Sequence, residues 1–159
     1  MKITIVCVGK VKEKYLRDAI AEYEKRLSRY CKLQVIEVVD EKTPDGASTV
    51  VEDQIREKEA ERILKNLRLD DPVVTLEIEG KQMDSVAFAQ EIEQMGVEGV
   101  SHIQFVIGGS LGLHEKVSKV SGWKLSFSRM TFPHQLMRVI LLEQIYRGYR
   151  IINGEPYHK

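Results

Sequence analysis

Five side chains stand out from an otherwise apolar run near the C-terminus. The segment from Thr131 to Lys159 reads "TFPHQLMRVILLEQIYRGYRIINGEPYHK", and the five are Arg138, Glu143, Tyr146, Arg147 and Arg150. A charge removed from water is costly unless paired, so such residues pair, line a pocket or lie at a wet edge. Glu143 and Arg147 stand four apart, the spacing of an ordinary helical ion pair. Arg138 falls one turn inside the helix, near the loop that precedes it, and is the stronger site candidate. The chain then runs through Pro156, Tyr157, His158 and Lys159. Terminal residues are usually frayed. An aromatic ring, an imidazole and an ammonium beside so apolar a helix could instead fold over a site.

A second stretch, "FVIGGSLGLHEKV" from Phe105 to Val117, places Gly108, Gly109 and Gly112 between an apolar run and a helix. Gly-rich turns of this kind often hold phosphates, but the side chains required are missing. A P-loop needs Gly-Lys-Ser/Thr, and a dinucleotide fingerprint needs G-x-G-x-x-G after the first strand of its unit. Two readings survive: the glycines make a tight turn, or they let a flat or bent ligand lie against backbone. The histidines lack carboxylates at ligand spacing, which argues against a metal site. No G-x-S-x-G elbow is present, and Ser110 suits a turn on turn grounds alone.

The elements that must position these residues alternate. Strands are expected at Lys2–Val8, Lys32–Val39, from Val73 through "VVTLEI", over "HIQFVIGG" and at Trp123–Phe127. Amphipathic helices are expected over 13–30 and 49–67 and from an Asp84 or Ser85 cap to about Met95, with a short one near 114–121. "EGKQMDS" reads as a turn. The last helix, about 134–152, follows Pro133 and is apolar on nearly every side, which predicts burial, including in a subunit interface. This alternation predicts one α/β domain with a mostly parallel sheet spanning 1–159. Ligands of such sheets bind beyond the carboxyl ends of the strands. Leu76–Gly80, Gly108–Gly112 and the loop 127–132 are therefore expected to converge on a pocket.

Composition sets outer bounds. The 159 residues are 43% hydrophobic and 30% charged, ordinary for a folded soluble domain and unlike a disordered one. Cys7 and Cys31 lack any paired-ligand spacing and read as small buried hydrophobes. The first apolar run is too short for a signal peptide and no segment approaches a membrane span, so a cytoplasmic protein is expected. Net charge is zero, but His114–Lys159 carries eight Lys and Arg against three Asp and Glu. That sign asymmetry is compatible with an anionic partner, although free non-specific RNA binding would call for a more basic chain.

Over its whole length the chain resembles the RlmH family, small SPOUT-class methyltransferases acting on N3 of a pseudouridine in helix 69 of 23S ribosomal RNA. The likeness is carried by "VTLEIEGK" with Asp84 and Ser85, by "IGGSLGL", by "FPHQLMRVILLEQIYRGY" and by the terminal "PYH". Ser110 and Leu111 depart from the Pro and Glu common in relatives. The resemblance implies a C-terminal trefoil knot, a homodimer, and S-adenosylmethionine bound in bent form in the knot, with no metal. Cofactor contacts would fall on Leu76, Gly108, Phe127, Ser128, Arg129, Met130, Thr131 and Phe132. His158 would assist loss of the imide proton, since imidazole titrates near neutrality. Tyr157 would hold the base, and Arg138 would stabilise the developing anion or bind phosphate. Two alternatives stand beside this reading: a non-enzymatic ribosome-associated factor and a nucleotide-binding flavodoxin-like protein.

Overall fold

A computed structural model describes residues 1–159 and shows five strands and five helices in alternation. β1 (Lys2–Val8) leads into α1 (Lys14–Leu27), β2 (Lys32–Val38) into α2 (Thr49–Leu64), and β3 (Val73–Gln82) into α3 (Ser85–Val97). β4 (His102–Ile107), α4 (Glu115–Ser118), β5 (Trp123–Ser126) and α5 (His134–Ile152) complete the chain. All pairings among these strands are parallel, and the strand order is β2-β1-β4-β3-β5.

Parallel strands are covered on both faces, which is why β1 and β4 read as continuous apolar runs rather than alternating ones. Ile3, Ile5 and Cys7 face one core with Leu16, Ile20 and Leu27 of α1, Phe88 and Ile92 of α3, and Leu141, Leu142 and Ile145 of α5. Val6 and Val8 face the other, with Ala60 and Ile63 of α2 and Val117 of α4. Burying a branched side chain of this size stabilises by about 1.5–3 kcal/mol, so two such cores hold the layers together. Local signals set the helix starts: Ser48 caps α2 through the Val51 amide, and Asp84 caps α3 through the Ala87 amide at 2.7 Å. Cys7 is buried and Cys31 half-buried, and burial pushes both thiols up to about 11.

β3 departs most from the sequence expectation. β3 does not end at "VVTLEI" but continues through the expected turn to Gln82. Its register against β5 slips between Leu76 and Lys81, both of which stand opposite Leu125. The intervening residues are unpaired with β5 and interrupt the ladder before it resumes at Lys81. Gly80 permits it, because a Cβ there would lie 2.6 Å from the Lys124 carbonyl oxygen. Helices α1, α2 and α4 are shorter than their apolar periodicity suggests, as Ser28 and Lys65 already lie beyond the last helical turns of α1 and α2.

Candidate cofactor cleft and its C-terminal tail

The three strand-end loops do converge. They line a cleft of about 720 Å³ together with the first turn of α5. Leu76 comes from β3, Ile107–Gly112 from the end of β4, and Phe127, Ser128 and Met130–Phe132 from the loop after β5. The volume is that of an ordinary small-ligand site. Lysine and arginine are absent from the lining, and Glu77 supplies its one carboxylate. A wall of apolar side chains and backbone with no cation suits a nucleoside bearing positive charge far better than a polyphosphate.

The glycine turn closes on itself. Gly109 and Gly112 form an antiparallel bridge, the Gly112 amide donates to the Gly109 carbonyl at 3.1 Å, and Gly112 has a φ of 81°. A Cβ on Gly108 would stand 2.9 Å from the Gly112 carbonyl carbon and 3.0 Å from Leu113 Cδ2. The side chain is therefore missing at Gly108 because the turn folds back over it, while its backbone still lines the cleft. Ser110 and Leu111 line the cleft as well. Beneath the turn lies the buried carboxyl of Glu59, whose Oε2 accepts from the Glu41 amide at 3.0 Å. Burial, with Asp40 and Glu41 nearby, raises its pKa despite that hydrogen bond and the charge of Arg62.

Arg129 and Arg138 stand apart from the cleft. Arg129 is exposed and lines a separate shallow depression with Ile78, Glu79, Gly80 and Gln82. Arg138 is 4% exposed, donating to Glu37 Oε2 at 2.6 Å and to the Gly9 carbonyl at 3.1 Å. The expectation that Arg138 faces the pocket loop is not met, because β1 and β2 end beside α5 and engage the guanidinium first. One turn earlier on the same helix face, His134 does line the cleft. Burial and the charge of Arg138 lower its pKa, against an opposing pull from Asp40, and so favour the neutral imidazole. His134 was legible only as a residue after Pro133; its place in the cleft follows from where α5 starts.

The tail is pinned rather than frayed. Arg150 pairs with Glu155 at 2.5 Å and donates to the Pro156 carbonyl at 2.8 Å, and Tyr30 donates to Glu155 at 2.8 Å. Tyr157 meets Tyr146 edge-on at 5.0 Å, and its hydroxyl donates to Glu143 Oε1 at 3.2 Å. The Arg147 guanidinium lies 4.7 Å from the centre of the Tyr157 ring. Burial, with the Tyr23 and Glu143 hydrogen bonds, pushes the Tyr157 phenol up to about 12. Glu143 and Arg147 do form the expected ion pair, with Arg147 Nε donating at 2.8 Å. That pair is also the seat of Tyr157, a second duty that helical spacing alone does not reveal. His158 is exposed, with Nδ1 3.1 Å from Arg147 Nη1. It borders a smaller cavity of about 380 Å³ that shares Leu125 and Phe127 with the cleft. Phe127 thus stands between the cleft and the tail.

No group of three or more His, Cys, Asp or Glu side chains is placed to hold a metal ion, and no helix is long and apolar enough to cross a membrane. Residues 1–158 match the family model described as predicted SPOUT methyltransferase. Proteins named ribosomal RNA large subunit methyltransferase H are similar over the full length of both chains. That of Bifidobacterium adolescentis is 64% identical over 159 residues and that of Clostridium tetani 61%. Two solved structures share the fold. A Haemophilus influenzae protein assigned to a methylase family gives a TM-score of 0.55 at 16% identity, covering 99% of this chain and 70% of its own. A Legionella pneumophila protein assigned as a methyltransferase, solved with its cofactor SAM bound, gives 0.50 at 8% identity, covering 94% and 66%. A parallel α/β chain with its cleft at the strand ends, matched from end to end by one family model, belongs to the SPOUT methyltransferase family.

Proposed function

We propose that this protein is a ribosomal RNA methyltransferase that uses S-adenosylmethionine to methylate N3 of a pseudouridine in helix 69 of 23S rRNA. The observation that carries the reading is the cleft itself, built by the three strand-end loops of a SPOUT chain and free of cationic side chains. Full-length relatives bearing the name of a large-subunit rRNA methyltransferase support the substrate class.

Leu76, Gly108, Phe127, Ser128 and Met130–Phe132 would hold the cofactor, and Arg129 would join Ser128 to Met130 within that loop while lying outside the cleft lining. When bound, S-adenosylmethionine supplies an electrophilic methyl group. The chain's own task is to fix the base in line with that methyl, and most of the acceleration comes from such positioning. Tyr157, held edge-on by Tyr146, offers a ring against which an unstacked base can rest. His158, exposed and bordering the cavity that shares Phe127 with the cleft, accepts the N3 proton as the base becomes a nucleophile. Arg138 acts as a positioning residue: its bonds to Glu37 and Gly9 fix the α5 turn that carries His134 into the cleft.

The same reading includes a homodimer and a C-terminal trefoil knot. Support for the dimer lies in α5, where Leu136, Val139 and Ile140 remain only half-buried in the single chain. Support for the knot lies in the path: β5 lies outside β3, and α5 returns to pack with α1 and α3.

Truncation after Glu155 tests the assigned roles. It is expected to leave S-adenosylmethionine affinity within about twofold while lowering methyl transfer by about 10²-fold, the usual contribution of a general base. Unchanged methyl transfer would remove the tail from the mechanism.

A further inference from the structure

The cleft is lined by one acidic residue, Glu77. No lysine or arginine lines it, and the imidazole of His134, which also lines it, is held towards its neutral form. Glu77 has no ion-pair partner anywhere in the protein, unlike Glu37, Glu143 and Glu155. Its carboxylate is nevertheless tied in place. Thr75 Oγ1 donates to Oε2 at 2.6 Å, and Ser118 Oγ stands 3.0 Å from Oε1 and 3.1 Å from Oε2. Thr75 is fully buried, and its hydroxyl also lies 2.8 Å from Ser121 Oγ, whose own bond runs to the Trp123 carbonyl at 2.9 Å. Hydroxyls from β3, α4 and the turn before β5 therefore fix the site of a negative charge that no protein cation neutralises.

A fixed charge at the edge of a largely apolar cleft interacts with a ligand charge more strongly than the same pair in water. At neutral pH S-adenosylmethionine carries a sulfonium, an ammonium and a carboxylate, a net of one positive charge. Transfer of its methyl to a deprotonated ring nitrogen forms an N–C bond and breaks the S–C bond. The bonding pair stays on sulfur, leaving S-adenosylhomocysteine with a neutral thioether and no net charge. The two ligands share every other group.

We propose that Glu77 is the counter-charge for the cofactor and a specificity-determining residue: it favours the cationic S-adenosylmethionine over the neutral product S-adenosylhomocysteine. This rests on the cofactor reading of the cleft but not on the identity of the RNA nucleotide. The consequence is directional. The attraction is present before transfer and gone after it, so product release is assisted by the same residue that aids loading.

Calorimetric titration of the full-length protein with three ligands tests this without any RNA. The ligands are S-adenosylmethionine, sinefungin, which bears an ammonium near the position of the sulfonium, and S-adenosylhomocysteine. Glu77→Gln keeps an oxygen to accept from Ser118 and removes the charge. It is expected to weaken both cationic ligands about tenfold and to leave S-adenosylhomocysteine within about twofold. Glu77→Asp is expected to retain the preference for cations. Should the Gln variant fail to fold, Glu77→Ser is measured in its place, with the same expectation. Equal weakening of all three ligands, or no weakening, would overturn the proposal. A wild-type protein that bound none of them would overturn the cofactor reading itself, and the proposal with it.

Discussion

His134 and Arg138 sit one turn apart on α5, and their spacing couples a cleft residue to a buried charge. Burial first, and then the Arg138 charge, lowers the His134 pKa below its ordinary value. The unfolded chain therefore takes up this proton before the native protein does as pH falls. Stability is unaffected while both states are neutral, and it declines from about pH 6.5 downward until the folded imidazole is itself protonated. Urea denaturation between pH 7.5 and 5 should show that slope in the wild type and a shallower one in His134→Gln. Superimposable slopes would place the proton uptake elsewhere. Glu59 has the opposite sign. Burial raises its pKa, so its ionisation opposes folding at neutral pH, and the penalty disappears in acid. Glu59→Gln is therefore expected to raise the melting temperature at pH 7.5 and to make no difference near pH 4. Neither effect is legible in the sequence, where His134 follows a proline and Glu59 sits in a charged helix. Both depend on what tertiary packing places beside them.

At the scale of elements, α5 is fastened to the strand ends by Arg138. Its partner Glu37 has a side chain 39% exposed, whereas that of Arg138 is only 5% exposed. Neutralising Glu37 strands a buried cation, while replacing the arginine leaves a carboxylate that can reach water. Glu37→Gln is expected to cost about 3 kcal/mol and Arg138→Met distinctly less, by equilibrium denaturation. The reverse order would mean that packing of the arginine stem outweighs its charge. The Gly108 turn makes a related prediction. A Cβ 2.9 Å from Gly112 must push the turn open, so Gly108→Ala should weaken S-adenosylmethionine binding by at least about tenfold. Near-UV circular dichroism should stay native, since neither hydrophobic core includes the turn. The alternation of elements was readable from periodicity, as were the α5 bounds and the strand-end convergence, because each follows from local pattern plus a general rule of parallel sheets. The length of β3 was not. "EGKQ" has the composition of a turn, and only the slipped register against β5 keeps it in the sheet. The glycine turn lines the cleft, and Gly108 is required by the turn's own closure, which only the folded-back chain reveals.

For the whole molecule, zero net charge and a half-buried apolar face on α5 constrain how it meets its partners. Sedimentation is expected to give twice the 18.3 kDa chain mass. A monomer active at full rate would refute the dimer. Phosphate neutralisation by a chain without excess positive charge is a weak source of affinity for naked RNA. Recognition of a shaped, assembled surface is therefore expected. The most direct test is transfer of labelled methyl from S-adenosylmethionine to assembled ribosomes and to free 23S rRNA, with the modified nucleotide mapped afterwards. Label is expected at N3 of a pseudouridine in helix 69, and far more of it on ribosomes than on free RNA. Label on another nucleotide, or no transfer to either substrate, would contradict the proposed function.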